Sequence, residues 1–201
     1  MGEYLLGIDI GTSACKIAVF AKDGTVKATG TGDYQVYYPH PGWAEQNPEE
    51  WWEAVCDAIP KVLAKGNISP EEIKGIGIDG QSWSAIAVDK DGNVLTNTPI
   101  WMDTRATDIC EEFNEKIGKD KIFELCGNSL QPSYTTAKII WYQRNLPEVY
   151  AKTYPSIQQL HCIQTDRCDD TGPFSGIWSS LLRYENRNLE GRDVSGIWIF
   201  F

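Results

Sequence analysis

A chain of 201 residues, 42% of them apolar, is long enough to bury a real core, which excludes disorder for most of its length. Its formal net charge of −10 argues against nucleic acid or an anionic membrane as partner, because both reward basic patches. No apolar run is long enough to span a bilayer, while a phosphorylated small molecule held by backbone amides and a metal ion stays open.

Near the start, "YLLGIDIG" reads as a short apolar strand. "KIAVFAKDGTVKATG" alternates around Asp23-Gly24, a strong hairpin signal. "NPEEWWEAVCDAIPKVLAK" reads as a helix with Asn47 as N-cap, Pro48 at the first helical position and Glu50 where a capping-box acid belongs. Trp51, Trp52, Val55, Ile59 and Leu63 recur at helical spacing, and Pro60 predicts a kink or a break. After the exit loop "GNISP", "IKGIGIDG" reads as a buried strand, and "SAIAVDKDGNVLTN" repeats the strand, Asp-Gly turn, strand pattern. "DTRATDICEEFNEKIG" and "DKIFELCG" are predicted helices, and "SYTTAKIIWYQRN" opens a third. The order β-β-α-β-β-α predicts an α/β fold with a mixed sheet packed by helices.

Six cysteines, Cys15, Cys56, Cys110, Cys126, Cys162 and Cys168, form no C-x-x-C pair, and His40 and His161 stand in no ligand-like spacing. A zinc site is not expected. The first apolar stretch is short and already carries Asp9, so no signal peptide is expected. Buried, inert thiols in a reducing cytoplasm are the expectation.

The stretch with chemistry is "DIGTSACK". Gly11 permits a tight turn, after which the amides of Gly11, Thr12 and Ser13 can cradle phosphate oxygens. Asp9, at the strand end, can hold magnesium through water, and Lys16 adds a positive charge. An ordinary hairpin with a surface acid accounts for the same residues, so the two readings stand side by side.

Longer segments separate them. "GIDIGTSACKIAVF" resembles the phosphate hairpin of the actin/Hsp70/sugar-kinase superfamily, and further stretches resemble the FGGY carbohydrate kinases within it. These are "PGWAEQNPEEWWEAV", "GIGIDGQSWSAIAVDKDGNVL", "PIWMDTRA" and "SYTTAKIIWY", the last with Lys138 and Trp141 at the places that family expects. The resemblance covers residues 4–154 and is nearest to xylulokinase-like pentulose kinases. It implies an actin-like ATPase (ribonuclease H-like) domain with β-hairpins and flanking helices. It also implies ATP and Mg2+ as cofactors and a sugar as phosphoryl acceptor.

By the same resemblance, Gln81, Ser82 and Trp83 lie on the substrate loop, although xylulokinases usually carry Met-His after that Gln. Trp101, Asp103 and Arg105 lie on the next loop, and Ser133 and Tyr134 face the cleft. Asp103 reads either as a hydroxyl acceptor or as a helix N-cap; Trp83 and Trp101 read either as sugar platforms or as plain core. Asp79 reads as the end of its strand. The family's catalytic base, an Asp, and its adenine-binding half are expected beyond the end of this chain, which predicts an inactive fragment. A homodimer of the full-length enzyme is the expected assembly, and the cytoplasm the expected compartment. The rival reading is a non-catalytic sugar-binding module; a chaperone-type ATPase of the superfamily fits poorly with "GWAEQNPEEWW" and "PIWMDTRA".

The resemblance stops after Tyr154. Residues 1–152 hold twelve Lys and two Arg, whereas residues 153–201 hold no Lys, four Arg, no Ala and no Met. "IQTDRCDDTGPFSGIW" can be encoded so that reading one base later gives "SRLTGVMTQDLSQGYG", which resembles the family's continuation. Residues 1–154 are therefore read as the sugar-binding, phosphate-hairpin domain and residues 155–201 as a frameshifted tail without designed periodicity, with a genuine divergent C-terminal segment as the rival reading.

Overall fold

The computed structural model describes residues 2–153. They divide into two compact units, one made of residues 2–37 and 46–82, the other of residues 38–45 and 83–153.

The first unit is a sheet with a helix on it. Strands β1 (Tyr4–Ile10), β2 (Ala14–Ala21), β3 (Val26–Asp33) and β5 (Ile73–Gly80) form a mixed sheet in the order β3-β2-β1-β5. β1 runs antiparallel to β2 and parallel to β5. The chain enters this unit through the two-residue strand β4 (Glu45–Gln46) and continues into helix α1 (Pro48–Gly66). The Asp23-Gly24 turn forms as the sequence predicts. Gly24 takes φ +85°, which costs a residue without Cβ little, and Asp23 Oδ1 accepts the Thr25 N–H at 2.9 Å.

Helix α1 starts where the caps place it: Asn47 Oδ1 accepts the Glu49 N–H at 3.1 Å and Pro48 follows. Glu50 does not close a capping box; its carboxylate accepts the Tyr37 hydroxyl at 2.6 Å. The helix runs through Pro60 to a left-handed Asn67, because Val55, Ala58, Val62 and Leu63 on both sides of the proline are buried against the sheet. Trp51 is buried while its neighbour Trp52 stands 66% exposed. Close approach of α1 to β3 depends on missing side chains. A Cβ on Gly32 would lie 2.6 Å from the Ala54 carbonyl oxygen, and one on Gly30 would lie 2.5 Å from Val62 Cγ2.

β5 departs from the expectation of a buried strand. Ile76 and Ile78 share the α1 side of the sheet with buried Leu6 and Ile8, yet are 61% and 68% exposed. A helix about 10 Å across covers roughly two strands set about 4.8 Å apart, and α1 is spent on β2 and β3.

The second unit is helical. It contains the two-residue strand β6 (Thr98–Pro99), then α2 (Thr107–Ile117), α3 (Lys119–Cys126), α4 (Thr135–Asn145) and α5 (Pro147–Lys152). Its core gathers Ile109, Phe113, Ile122, Ile139, Ile140 and Tyr142. α4 is its axis, buried without interruption from Thr135 to Tyr142. The predicted second hairpin forms only in part. Leu95 N–H donates to Ala87 O at 2.8 Å and Val88 bridges Val94 across a turn at Gly92, but no longer ladder develops there.

Thiols follow expectation at Cys15 and Cys110, both buried; burial raises the first and pushes the second up to about 12. Cys56 is exposed, which corrects the expectation for that position. Cys162, Cys168 and the tail reading of residues 155–201 lie outside the described residues.

Candidate functional site

In the first unit the bend between β1 and β2 is held from behind by its carbonyls. The Tyr34 hydroxyl donates to Gly11 O at 2.5 Å, and burial raises its pKa, so it stays a donor. Gln46, fully buried, donates from Nε2 to Thr12 O at 2.8 Å and to Gln35 O at 3.1 Å. Its Oε1 accepts Nε2 of Gln81 at 2.7 Å, and that same Gln81 nitrogen lies 3.4 Å from Gly11 O. Gln81 also continues the β1–β5 pairing through its N–H to Ile10 O at 2.9 Å. Fixing three carbonyl directions fixes the peptide planes of the bend, because each plane is rigid.

Of the three amides expected to cradle phosphate, that of Gly11 closes the hairpin on Ala14 O at 3.1 Å and is spent there. Ser13 is exposed at the tip. Asp9 and Lys16 are opposite each other in the ladder and form an ion pair at 3.2 Å, with the Asp9 side chain 47% exposed. Asp79 is the parallel partner of Asp9 on the other flank. A half-exposed carboxylate suits a cation that keeps its waters. Among the described residues no group of three or more His, Cys, Asp or Glu is placed to hold a metal. Asp9 alone can therefore contribute only part of a coordination shell. Ser82 is exposed where the first unit ends.

In the second unit two loops carry exposed indoles on a buried polar frame. Trp83 is 41% exposed and takes φ +67°, a left-handed conformation that costs a residue with a Cβ about 1–2 kcal/mol. Its ring lies 4.6 Å from that of Tyr134, the residue before α4. Trp101, 44% exposed, sits in a turn closed by Asp103 N–H on Ile100 O at 3.0 Å.

Asp103 is fully buried. It accepts Ala44 N–H at 2.7 Å, Arg105 N–H at 3.0 Å, and the Arg105 guanidinium through Nε at 2.9 Å and Nη2 at 2.8 Å. The expectation of an accessible hydroxyl acceptor is not met in this structure, since four donors take up the carboxylate. Nor is Asp103 a helix cap, because α2 begins at Thr107 with Ala106 before it. Arg105 is equally enclosed: Nη2 also donates to Glu45 at 2.7 Å. Its guanidinium carbon lies 3.8 Å from the Trp43 ring centre and 4.8 Å from that of Trp141. Desolvation, the largest single effect, lowers the Arg105 pKa, but the Asp103 and Glu45 carboxylates together outweigh it and hold the guanidinium above its ordinary range.

The sequence pattern described as the FGGY family of carbohydrate kinases, N-terminal domain, matches residues 4–163. This chain belongs to the FGGY family. The xylulose kinase of Bacillus subtilis (strain 168) is 33% identical over 178 residues, 85% of this chain and 36% of that protein. The glycerol kinase of the same organism is 34% identical over 147 residues, 73% of this chain and 30% of that protein. Among solved structures, a xyloylose kinase from Brucella ovis superimposes with a TM-score of 0.68 at 31% identity, covering 75% of this chain and 31% of that one. The FGGY chain thus spans about a third of the length of the curated relatives it matches, and its α/β, mixed-sheet fold is the actin-like fold of those sugar kinases.

Sequence reasoning missed Gln46, Tyr34, Glu45 and Trp43 as parts of this FGGY framework. The available signal was a polar pair, Glu45-Gln46, beside an apolar helix face, and that signal does not say which of the two is buried.

Proposed function

We propose that this chain supplies the sugar-holding and phosphate-facing part of an ATP-dependent kinase that phosphorylates a hydroxyl of a pentulose such as xylulose. The observation that carries the proposal is Trp83 and Trp101: two large indoles left about two-fifths exposed, Trp101 on a loop braced by a buried Asp103–Arg105–Glu45 frame and Trp83 against Tyr134 with its carbonyl on buried Lys138. A solvated loop gains little from such a frame, whereas a ligand with an apolar C–H face gains a rigid stacking surface. Asp9, Thr12, Ser13 and Lys16 at the β1–β2 bend are the proposed contacts for nucleotide phosphates. Asp9 reaches the Mg2+ through water, and Gln81 and Ser82 join the substrate loop. ATP with its metal supplies the phosphoryl group and the charge neutralisation that phosphoryl transfer needs. The residues described here bind and orient; proton removal from the sugar is assigned to a carboxylate outside residues 1–201. The same reading has the chain work in the cytoplasm, in a homodimer of the full-length enzyme, with residues 1–154 as the working domain.

Calorimetric titration of the chain with D-xylulose, glycerol and ATP–Mg2+ tests this. Xylulose binding with quenching of tryptophan fluorescence, together with little or no turnover, is expected. Turnover at ordinary kinase rates, or absence of any sugar binding, speaks against it.

A further inference from the structure

Lys138 is the one lysine among the described residues with no exposed surface. It sits on the second turn of α4, a helix buried on all sides there. Its ammonium group makes two hydrogen bonds, both to main-chain carbonyls: Trp83 O at 2.9 Å and Ile100 O at 2.7 Å. Those two carbonyls belong to different loops, 17 residues apart in sequence, and each loop carries one of the exposed indoles. Ile100 O is also the acceptor that closes the turn presenting Trp101. Trp83 is held at both ends, its ring against Tyr134 just before α4 and its carbonyl on Lys138 within the helix.

We infer that Lys138 is a positioning residue that sets the spacing and pitch of the Trp83 and Trp101 loops by clamping their carbonyls to α4. This inference rests on the proposed sugar-binding role of the two indoles. The residue type suits the task. Three donors on a compact, rotatable head can serve two carbonyls of fixed direction, and a buried lysine is otherwise costly enough to be rare. Burial pulls its pKa down to about 7, with the Asp103 carboxylate acting in the opposite sense. The amine keeps N–H donors in either protonation state, so the clamp does not depend on its charge. The left-handed backbone of Trp83 is unfavourable for a residue with a Cβ, and the Lys138 hydrogen bond to its carbonyl supplies a fixed point that offsets that cost.

The test uses the 201-residue chain with Lys138→Met, which keeps the length of the stem and removes the donors, and Lys138→Gln, which retains a donor with shorter reach. Amide hydrogen exchange is followed in peptides covering residues 81–88 and 98–105, with residues 4–21 as an internal reference. The clamp predicts exchange at least about tenfold faster in both loop peptides of Lys138→Met, an unchanged reference, and a smaller effect in Lys138→Gln. D-Xylulose affinity, measured by calorimetry on the same samples, is expected to fall about tenfold in Lys138→Met. Unchanged exchange in the two loops overturns the inference. So does a loss of protection that spreads equally to residues 4–21, which would mark Lys138 as a general stability element. If the unmodified chain binds no sugar, the proposed function fails, and the exchange result alone decides the clamp.

Discussion

Asp103 and Arg105 face each other as a fork on a fork: Nε to Oδ1 at 2.9 Å and Nη2 to Oδ2 at 2.8 Å, both side chains 2% exposed or less. Two residues apart in sequence, they are the base on which the Trp101 turn stands. A buried pair of this kind contributes modestly when intact and strongly when halved, since the survivor is left as an uncompensated charge.

Arg105→Met is therefore expected to destabilise the protein by about 3–5 kcal/mol, more than a double replacement of Asp103 and Arg105 by apolar residues of similar volume. Urea unfolding followed by tryptophan fluorescence compares the two. A smaller loss in the single variant than in the double would contradict the assignment.

Gln46→Leu keeps the volume and removes both arms of the amide. Thr12 O and the Gln81 side chain then lose buried partners, at a cost of about 1–3 kcal/mol. Because the bend is held only through its carbonyls from this side, ATP–Mg2+ affinity is expected to fall along with the melting temperature. Titration with nucleotide at a temperature well below the melt separates the two effects.

Trp83→Gly exchanges a side chain for backbone relief. Truncating a buried tryptophan ordinarily costs about 3–5 kcal/mol. Here the ring is partly exposed, and glycine accepts φ +67° without strain, so a loss of about 1–2 kcal/mol is expected. Sugar affinity should drop by about tenfold or more, the share of one stacking surface. Equal loss of stability and affinity would argue that the indole is core.

Acid stability should report on Glu112, which joins α2 to α4 through Arg144 Nη1 at 2.6 Å and also accepts Lys116 at 2.5 Å. The Arg144 hydrogen bond, followed by that of Lys116, pulls its pKa from 4.5 to about 2. A carboxylate depressed on folding adds stability above its unfolded value and loses it as pH falls through the folded value. Glu112→Gln should thus be less stable than the unmodified chain above pH 4.5, and the gap should close between pH 4.5 and about 2. Chemical unfolding midpoints at several pH values measure this; a gap that persists at the acid end contradicts it.

Much of the local structure is written in short-range chemistry. Alternation around Asp23-Gly24 specifies the β2–β3 hairpin, and Asn47-Pro48 specifies where α1 begins, because turn and cap preferences act over three or four residues. The family is legible for the same reason, in contiguous segments such as "GWAEQNPEEWW" and "PIWMDTRA". What the sequence left open is settled by partners distant along the chain. Pro60 stays inside α1 because the residues around it are buried on the sheet, and Ile76 and Ile78 stay exposed because α1 is too narrow to reach β5. Asp103, legible as a hydroxyl acceptor or a cap, is neither, since Ala44, 59 residues away, and Arg105 occupy its oxygens. Lys138 looks like any helical lysine until α4 brings it under Trp83 and Ile100. Sequence alone determined most of the elements and the family, because propensities and motifs are local. Only the tertiary structure decided which polar groups face solvent and which are consumed as struts, because burial and hydrogen-bond satisfaction depend on contacts that no short window contains.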